Sequence, residues 1–256
     1  MMSAGHGVRL VPEHRAEATT ALVSGVLDLE SYPELRDGLL KIAAEAPNGL
    51  IADIQELAVN DPSLLSVFSL VSMRVGDWPG IPFAIATDRP GHQAMLAARA
   101  VDRFVAVHPD RAAAERRLLR PPRRRATQQL TRAVRSPALA RDFVERICAE
   151  WGTADLAEDA LLVTTELMEN ALQHTASAPR IRLELRRGIL SVAVSDDDPR
   201  PAVLRERLSI HESGLGLRLV AQVAKVWGCS RSWSGGKVVW AVFTRRAPHS
   251  SGRADG

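Results

Sequence analysis

Four short segments in the second half of the chain follow one another in an order that constrains its fold. Residues 166–174 read Glu-Leu-Met-Glu-Asn-Ala-Leu-Gln-His, and an apolar alternation further on ends at Asp196. A Gly-Leu-Gly-Leu segment covers residues 214–217, and Gly-Gly-Lys covers 235–237. This order predicts a helix bearing Glu and Asn, a strand ending in Asp, and a glycine-hinged segment that opens another helix.

The polar side chains of these segments have chemistry in common. Glu166, Asn170 and His174 are four residues apart, so they share one helix face. A Glu can accept a hydroxyl proton, and an Asn carbonyl is a hard oxygen ligand suited to Mg²⁺. A carboxylate at Asp196 can accept a hydrogen bond from an adenine amino group, and glycines at 214 and 216 allow backbone N–H groups to approach phosphates. The set therefore predicts a nucleotide pocket.

Each of these features also has an ordinary structural interpretation. A Glu–Asn row is typical of a solvated helix face, residues 196–199 (Asp-Asp-Asp-Pro) are typical of a turn, and a glycine before a helix is common in loops. Other nucleotide and catalytic patterns are absent from the sequence: it has no Walker loop, no Gly-x-Gly-x-x-Gly after a strand, no Cys/His zinc spacing and no nucleophile elbow.

The first half of the chain alternates between strand and helix patterns, which predicts a small α/β domain over residues 8–117. The predicted strands are 19–28, 50–54, 81–87 and 104–108, and the predicted helices are 31–46, 93–101 and those that begin at 61 and 109. Residues 118–135 hold two prolines and three consecutive arginines, and we interpret them as a linker.

The second domain is predicted to cover residues 136–247, with a disordered tail at 248–256. The predicted helices are 138–151, 154–174 and 214–227, and the predicted strands are 180–186, 189–195 and two that flank the glycines at 235 and 236. Arg187-Gly188 predicts a hairpin turn. Residues 196–213 are polar and predict a long loop of functional character.

The composition argues for a cytoplasmic protein. Hydrophobic residues make up 46% of the 256 residues and charged residues 25%, which is ordinary for a globular protein. The sequence has no signal peptide pattern and no apolar run that would span a membrane, and its two cysteines do not suggest a disulfide framework. A formal charge of +3 gives no reason to expect direct nucleic-acid binding.

Residues from about 136 to 245 resemble the anti-sigma-factor serine kinases, a branch of the GHKL ATPase superfamily. The resemblance is carried by residues 166–174, by Val-Ser-Asp at 194–196 and by Gly-Leu-Gly-Leu at 214–217. It implies a Bergerat-type α/β sandwich with a mixed sheet, ATP and Mg²⁺ as cofactors, and a lid over about 199–213.

The resemblance also assigns roles to individual residues. It implies that Asn170 holds Mg²⁺, that Asp196 binds the adenine, and that Glu166 is the base that activates a serine hydroxyl of a partner. The phosphates would be bound by the segment Gly214, Leu215, Gly216 and Leu217. Two positions depart from the family pattern: Asp198 stands where a glycine often follows the aspartate, and Val238 stands where a threonine is often found.

The first domain resembles, less strongly, STAS domains of the anti-anti-sigma type. The alternating pattern, Asp-Pro-Ser at 61–63 and Trp-Pro-Gly at 78–80 carry this resemblance. It places the phosphorylated serine of that family at Ser63, in a first helical turn where a phosphate is favoured. The surrounding residues differ from the Asp-Ser-Ser-Gly pattern of the family, and a serine is also an ordinary residue at a helix start.

These observations predict an α/β protein that fuses a STAS-like domain to a GHKL domain and phosphorylates a serine of an anti-anti-sigma partner. The resemblance pairs that activity with binding of a sigma factor, and it suggests a homodimer. An alternative is a catalytically inactive interaction module with weak or no ATP binding. A sensor histidine kinase fits less well, because an α/β pattern and not a helical hairpin precedes the second domain.

Overall fold

The computed structural model describes residues 7–15, 17–118, 122–198, 200 and 216–244, with the side chains of 174 and 216–218 excepted. The chain divides into two compact units. The first holds the described residues up to 118 together with Ser230–Lys237, and the second holds Pro122–Cys229 and the described residues from Val238 onward.

The first unit is built on a five-stranded mixed sheet in the order β1-β2-β3-β4-β5. The strands are β1 (Val8–His14), β2 (Thr19–Leu27), β3 (Leu50–Val59), β4 (Phe83–Ala86) and β5 (Ala106–His108). The helices are α1 (Tyr32–Ala44), α2 (Ser66–Asp77), α3 (Pro90–Ala98) and α4 (Arg111–Arg117), with short 3₁₀ turns at Pro62–Leu65 and Val101–Arg103. Strands β2 to β5 are parallel to one another, and β1 is antiparallel to β2.

Successive side chains of β3 and β4 alternate between two hydrophobic clusters. Ala52 and Ile85 belong to the main core, which also holds the inner faces of α1 and α2. Their neighbours Ile51 and Ala84 lie in a smaller cluster with Ala114 of α4. Because successive side chains of a strand point to opposite faces, the helices cover both sides of this sheet. The predicted α/β domain is therefore confirmed.

The second unit contains a second sheet, in the order β6-β7-β8-β10-β9. Its strands are β6 (Arg123–Gln129), β7 (Arg180–Arg186), β8 (Ile189–Asp196), β9 (Val226–Arg231) and β10 (Lys237–Thr244). Its helices are α5 (Ser136–Trp151), α6 (Ala157–His174) and α7 (Gly216–Val223), with a 3₁₀ turn at Ala154–Leu156. Strand β7 pairs antiparallel with both β6 and β8.

The core of the second unit lies between the helices and the sheet. Helix α6 contacts α5, α7 and β8, and α5 contacts β7. Alternate residues of the two central strands face this core, among them Ile181 and Leu183 of β7 and Val192 and Val194 of β8, all with at most 1% exposure. The predicted hairpin turn joins β7 to β8: Arg187 and Gly188 have φ of 48° and 76°, as a two-residue turn of the type I′ kind requires.

Two expectations from the sequence need correction. Residues 123–129 of the predicted linker form the edge strand β6, because the carboxylate of Glu184 on β7 ion-pairs with Arg123 and Arg125 and so allows an arginine-rich segment to lie on the sheet. The predicted helix 214–227 is too long, since α7 ends at Val223 and Val226 already begins β9. An antiparallel edge strand over Val8–His14 was also not among the predicted strands.

Candidate functional site

Helix α6 carries Asn170, whose side chain has an unusual environment. The Oδ1 atom of Asn170 is buried and has no hydrogen-bond partner among the described residues. A buried polar atom without a partner costs free energy, so such atoms are rare and often mark a place where an unseen group binds. A carbonyl oxygen of this kind fits Mg²⁺, which takes few protein ligands and completes its shell with phosphates and water.

Glu166 lies one helical turn before Asn170 and is half-buried. Burial is the larger cause that raises the pKa of the Glu166 carboxyl above its ordinary value, and the nearby charge of Glu169 raises it further. A carboxylate with a raised pKa is a better proton acceptor near neutral pH than an exposed one. The environment of Glu166 is therefore compatible with the role of a general base.

Asp196 is the last residue of β8 and is 5% exposed. Its Oδ1 atom accepts a hydrogen bond from the backbone N–H of Asp198 at 2.9 Å. Asp198 in turn ion-pairs with Arg200, with 2.7 Å between Nη2 and Oδ2. The Asp-bearing segment is thus a turn built on side-chain hydrogen bonds, and it holds the Asp196 carboxylate inside the protein.

One hydrogen bond joins the end of α6 to the end of β8. The hydroxyl of Ser177, three residues after the helix, accepts a hydrogen bond from the backbone N–H of Asp197 at 3.0 Å. Since Asn170 lies in the last turns of α6 and Asp196 precedes Asp197, both residues lie at the same end of the second unit. The structure thus brings two of the predicted site residues to one region.

The structure describes the remaining predicted site residues only in part. Gly214, Leu215 and most of the predicted lid at 199–213 lie outside the described residues. Gly216 and Leu217 begin helix α7, whose side chains at these positions are not described. The side chain of His174 is likewise not described. Their predicted roles remain predictions.

The two departures from the family pattern lie on a strand and in a turn of the second unit. Val238 is 4% exposed on β10, the strand next to β8 in the sheet, and it presents methyl groups where a threonine would present a hydroxyl. Asp198 has a side chain that is 10% exposed and paired with Arg200. Both changes lie in elements next to Asp196.

Ser63 of the first unit lies in the 3₁₀ turn that follows β3. The carboxylate of Asp61 caps this turn by accepting a hydrogen bond from the backbone N–H of Ser63 at 2.8 Å. Hydrogen bonds from the Ser63 backbone and then from its side chain lower the pKa of Asp61. Ser63 is exposed, so its hydroxyl is accessible to a second protein.

Two residues that support the end of α6, Arg132 and Ser177, were not predicted from the sequence. The guanidinium of Arg132 donates to the backbone carbonyls of Leu172 in α6 and of Thr175 just after it, and the Ser177 hydroxyl accepts a hydrogen bond from the N–H of Asp197. Neither residue belongs to a recognisable motif, because a hydrogen bond to a backbone carbonyl or N–H requires only a donor or acceptor at the right place. Among the described residues no group of three or more His, Cys, Asp or Glu is arranged to hold a metal ion.

No protein-family model and no curated protein matches this chain. Among the described helices, none has the length and hydropathy that crossing a membrane requires.

Several solved structures resemble part of the chain. An anti-sigma factor antagonist from Mycobacterium paratuberculosis matches with a TM-score of 0.41 and 17% identity, over 46% of this chain and 98% of its own. A variant of RsbS from Moorella thermoacetica matches with a TM-score of 0.37 and 24% identity, over 43% and 94%. An anti-sigma-factor antagonist (STAS) domain protein from Planctomyces limnophilus matches with a TM-score of 0.37 and 14% identity, over 45% and 100%. These matches each cover less than half of the chain.

Proposed function

We propose that the second unit binds Mg-ATP and transfers its terminal phosphoryl group to a serine of a protein partner, as anti-sigma-factor serine kinases do. The observation that carries this proposal is the buried Oδ1 atom of Asn170, which has no hydrogen-bond partner in the described part of the chain. The resemblance of residues 136–245 to the kinase family implies that Asn170 is the Mg²⁺ ligand. The sequence motif and the unsatisfied atom therefore support the same role.

Each site residue then has a defined task. Asn170 would hold the Mg²⁺ ion, which neutralises charge on the phosphates when bound, and the buried carboxylate of Asp196 would accept a hydrogen bond from the adenine amino group. Gly214, Leu215, Gly216 and Leu217 would bind the phosphates at the N-terminus of α7. The carboxylate of Glu166 would take the proton of the partner's serine hydroxyl as its oxygen forms a bond to the γ-phosphorus and the bond to ADP breaks.

The partner follows from the same resemblance. An anti-anti-sigma protein of the STAS type would supply the serine. In its unphosphorylated form this protein would bind the chain and so release a sigma factor from it. We further propose that the first unit is a STAS-like domain with Ser63 as its regulatory serine. This proposal is supported by the sheet with one antiparallel edge strand and helices on both faces, and by the exposure of Ser63 in the turn after β3. This role belongs to the cytoplasm and is compatible with a homodimer.

A transfer assay tests the kinase proposal. The purified chain is incubated with ATP labelled at the γ-phosphate and with candidate STAS proteins from a genome that encodes it. Glu166→Ala should abolish labelling and leave ATP binding intact. Glu158→Ala is the matched control, because this exposed glutamate lies on the same helix, two turns away from the site. Equal labelling by the wild type and Glu166→Ala would overturn the role of Glu166.

A second candidate function has its own observations. Val238 and Asp198 both replace residues of the family's adenine site, and both are buried or nearly so. These changes favour an interaction module that binds its partners without phosphorylating them. Labelling of a STAS serine by the wild-type chain would exclude this candidate.

A further inference from the structure

The C-terminal end of helix α6 is held by an arginine from another part of the chain. The guanidinium of Arg132 donates from Nε to the carbonyl of Thr175 at 3.0 Å and from Nη2 to the carbonyl of Leu172 at 3.2 Å. The last carbonyls of a helix have no partner within the helix, and a cation there also interacts favourably with the helix dipole. Arg132 therefore fixes the turn that follows Asn170.

The loop that carries Arg132 is itself anchored. It connects β6 to α5, and the fully buried Ser136 donates its hydroxyl to the carbonyl of Thr131. The backbone N–H of Leu130 donates to the carbonyl of Pro179 at 2.9 Å. Because hydrogen bonds attach the loop to α5 and to the segment before β7, the backbone of Arg132 is held in place.

The other side of the helix end is bonded to the Asp-bearing strand. The hydroxyl of Thr175 accepts a hydrogen bond from the backbone N–H of Ser177 at 3.0 Å. The Ser177 hydroxyl accepts one from the backbone N–H of Asp197, also at 3.0 Å. A continuous series of hydrogen bonds thus runs from Arg132 through Thr175 and Ser177 to the residue after Asp196. The series connects the helix that bears Asn170 to the strand end that bears Asp196.

We propose that Arg132 is a positioning residue of the nucleotide site, which sets the place of Asn170 relative to Asp196. This inference rests on the proposed function. Arg132 is exposed, and its guanidinium donates to the backbone carbonyls of Leu172 and Thr175, so it acts through the end of α6. Residues that orient a metal ligand typically contribute about 10-fold to 100-fold in metal affinity.

The test combines two measurements on the full chain with Arg132→Ala. Hydrogen exchange without nucleotide should be faster in the last turn of α6 than in the wild type. Calorimetric titration should show about 10-fold weaker binding of Mg-ATP, with little change for ATP in the presence of EDTA, because the loss falls on the Mg²⁺ ligand. Arg132→Lys should restore part of the affinity, and Arg135→Ala is the control, since the side chain of this exposed arginine of the same loop makes no capping hydrogen bond to α5.

The possible outcomes separate failure of the positioning role from failure of the proposed function. An Arg132→Ala variant that binds Mg-ATP as tightly as the wild type would overturn the positioning role and leave the proposed function intact. An equal loss with Mg²⁺ and with EDTA would also overturn it, because it would show a structural effect without selectivity for the metal ligand. A wild-type chain that binds no Mg-ATP would overturn the proposed function and, with it, any positioning role.

Discussion

Replacing Asn170 by leucine should stabilise the protein while it removes nucleotide binding. The buried Oδ1 atom of Asn170 has lost its hydration and has gained no hydrogen bond from the described residues. A side chain kept for a ligand is expected to carry such a cost in the absence of the ligand. The Asn170→Leu variant removes the unsatisfied acceptor and keeps a side chain of similar size.

The expected gain can be worked out from two contributions. An unsatisfied buried acceptor costs about 1–3 kcal/mol, and the lower end applies because the Asn170 side chain is only half-buried. Leucine also has a higher helix propensity than asparagine, by about 0.4 kcal/mol at an interior helix position. The free energy of unfolding should therefore rise by about 1.5 kcal/mol in buffer without Mg²⁺ and nucleotide.

Urea denaturation followed by tryptophan fluorescence measures this change, since Trp151, Trp227 and Trp240 lie in the second unit. Asn170→Gln is the control: it raises helix propensity by a similar amount but keeps an amide, so its gain should be smaller. A decrease in stability in Asn170→Leu would refute the reasoning, because it would show that the asparagine side chain stabilises the empty protein. Unchanged Mg-ATP binding by this variant would refute the ligand role.

Three further predictions concern other residues. Glu184→Ala should lower the free energy of unfolding by about 3 kcal/mol in urea denaturation, because the 4% exposed carboxylate neutralises arginines of β6 and β7; a loss below about 1 kcal/mol would contradict this. The rate of phosphoryl transfer should fall as the pH falls, because protonated Glu166 cannot accept a proton. The midpoint of this pH profile should move to lower pH in Glu169→Gln, which removes a charge that raises the Glu166 pKa; a midpoint that does not move would argue against Glu166 as the titrating base. If the chain is a phosphoacceptor, Ser63→Ala should abolish its own labelling while Ser66→Ala, also exposed, should not; mass spectrometry that finds the phosphate elsewhere would reject Ser63.

Local turn chemistry made part of the fold predictable. The Arg187-Gly188 turn needed two residues with positive φ between two alternating strands, and the glycine signalled it. Asp61 and Pro62 similarly signalled the start of the helical segment after β3, where the Asp61 side chain caps the turn. In each case the residues that determine the structure lie within a few positions of one another.

Long-range pairing made other elements unpredictable. The arginines of β6 look like a solvated linker until Glu184 is placed beside them, and that residue is 59 positions from Arg125. The edge strand β1 contains Pro12, which is tolerated at a sheet edge but weakens the strand pattern. The end of α7 was misplaced because the apolar residues Val226 and Trp227 fit a helical period as well as a strand.

The same distinction applies to the candidate site. Glu166, Asn170 and Asp196 belong to recognisable motifs, and the structure places Asn170 and Asp196 at one end of the second unit. The burial of the Asn170 oxygen and the support from Arg132 and Ser177 depend on how α6 packs against β8 and on where the α6–β7 connection runs. No local pattern encodes these contacts, since any suitable donor or acceptor on a neighbouring loop can bond to a backbone carbonyl or N–H.

Calorimetric titration of the purified chain with Mg-ATP, beside an Asp196→Ala variant shown by circular dichroism to be folded, tests the central claim most directly. We expect the wild type to bind Mg-ATP at a single site and the variant to lose that binding, because the buried carboxylate is the proposed partner of the adenine amino group. Absence of binding in the wild type would contradict the account and favour an interaction module. Equal binding in both proteins would contradict the assignment of Asp196 to the adenine.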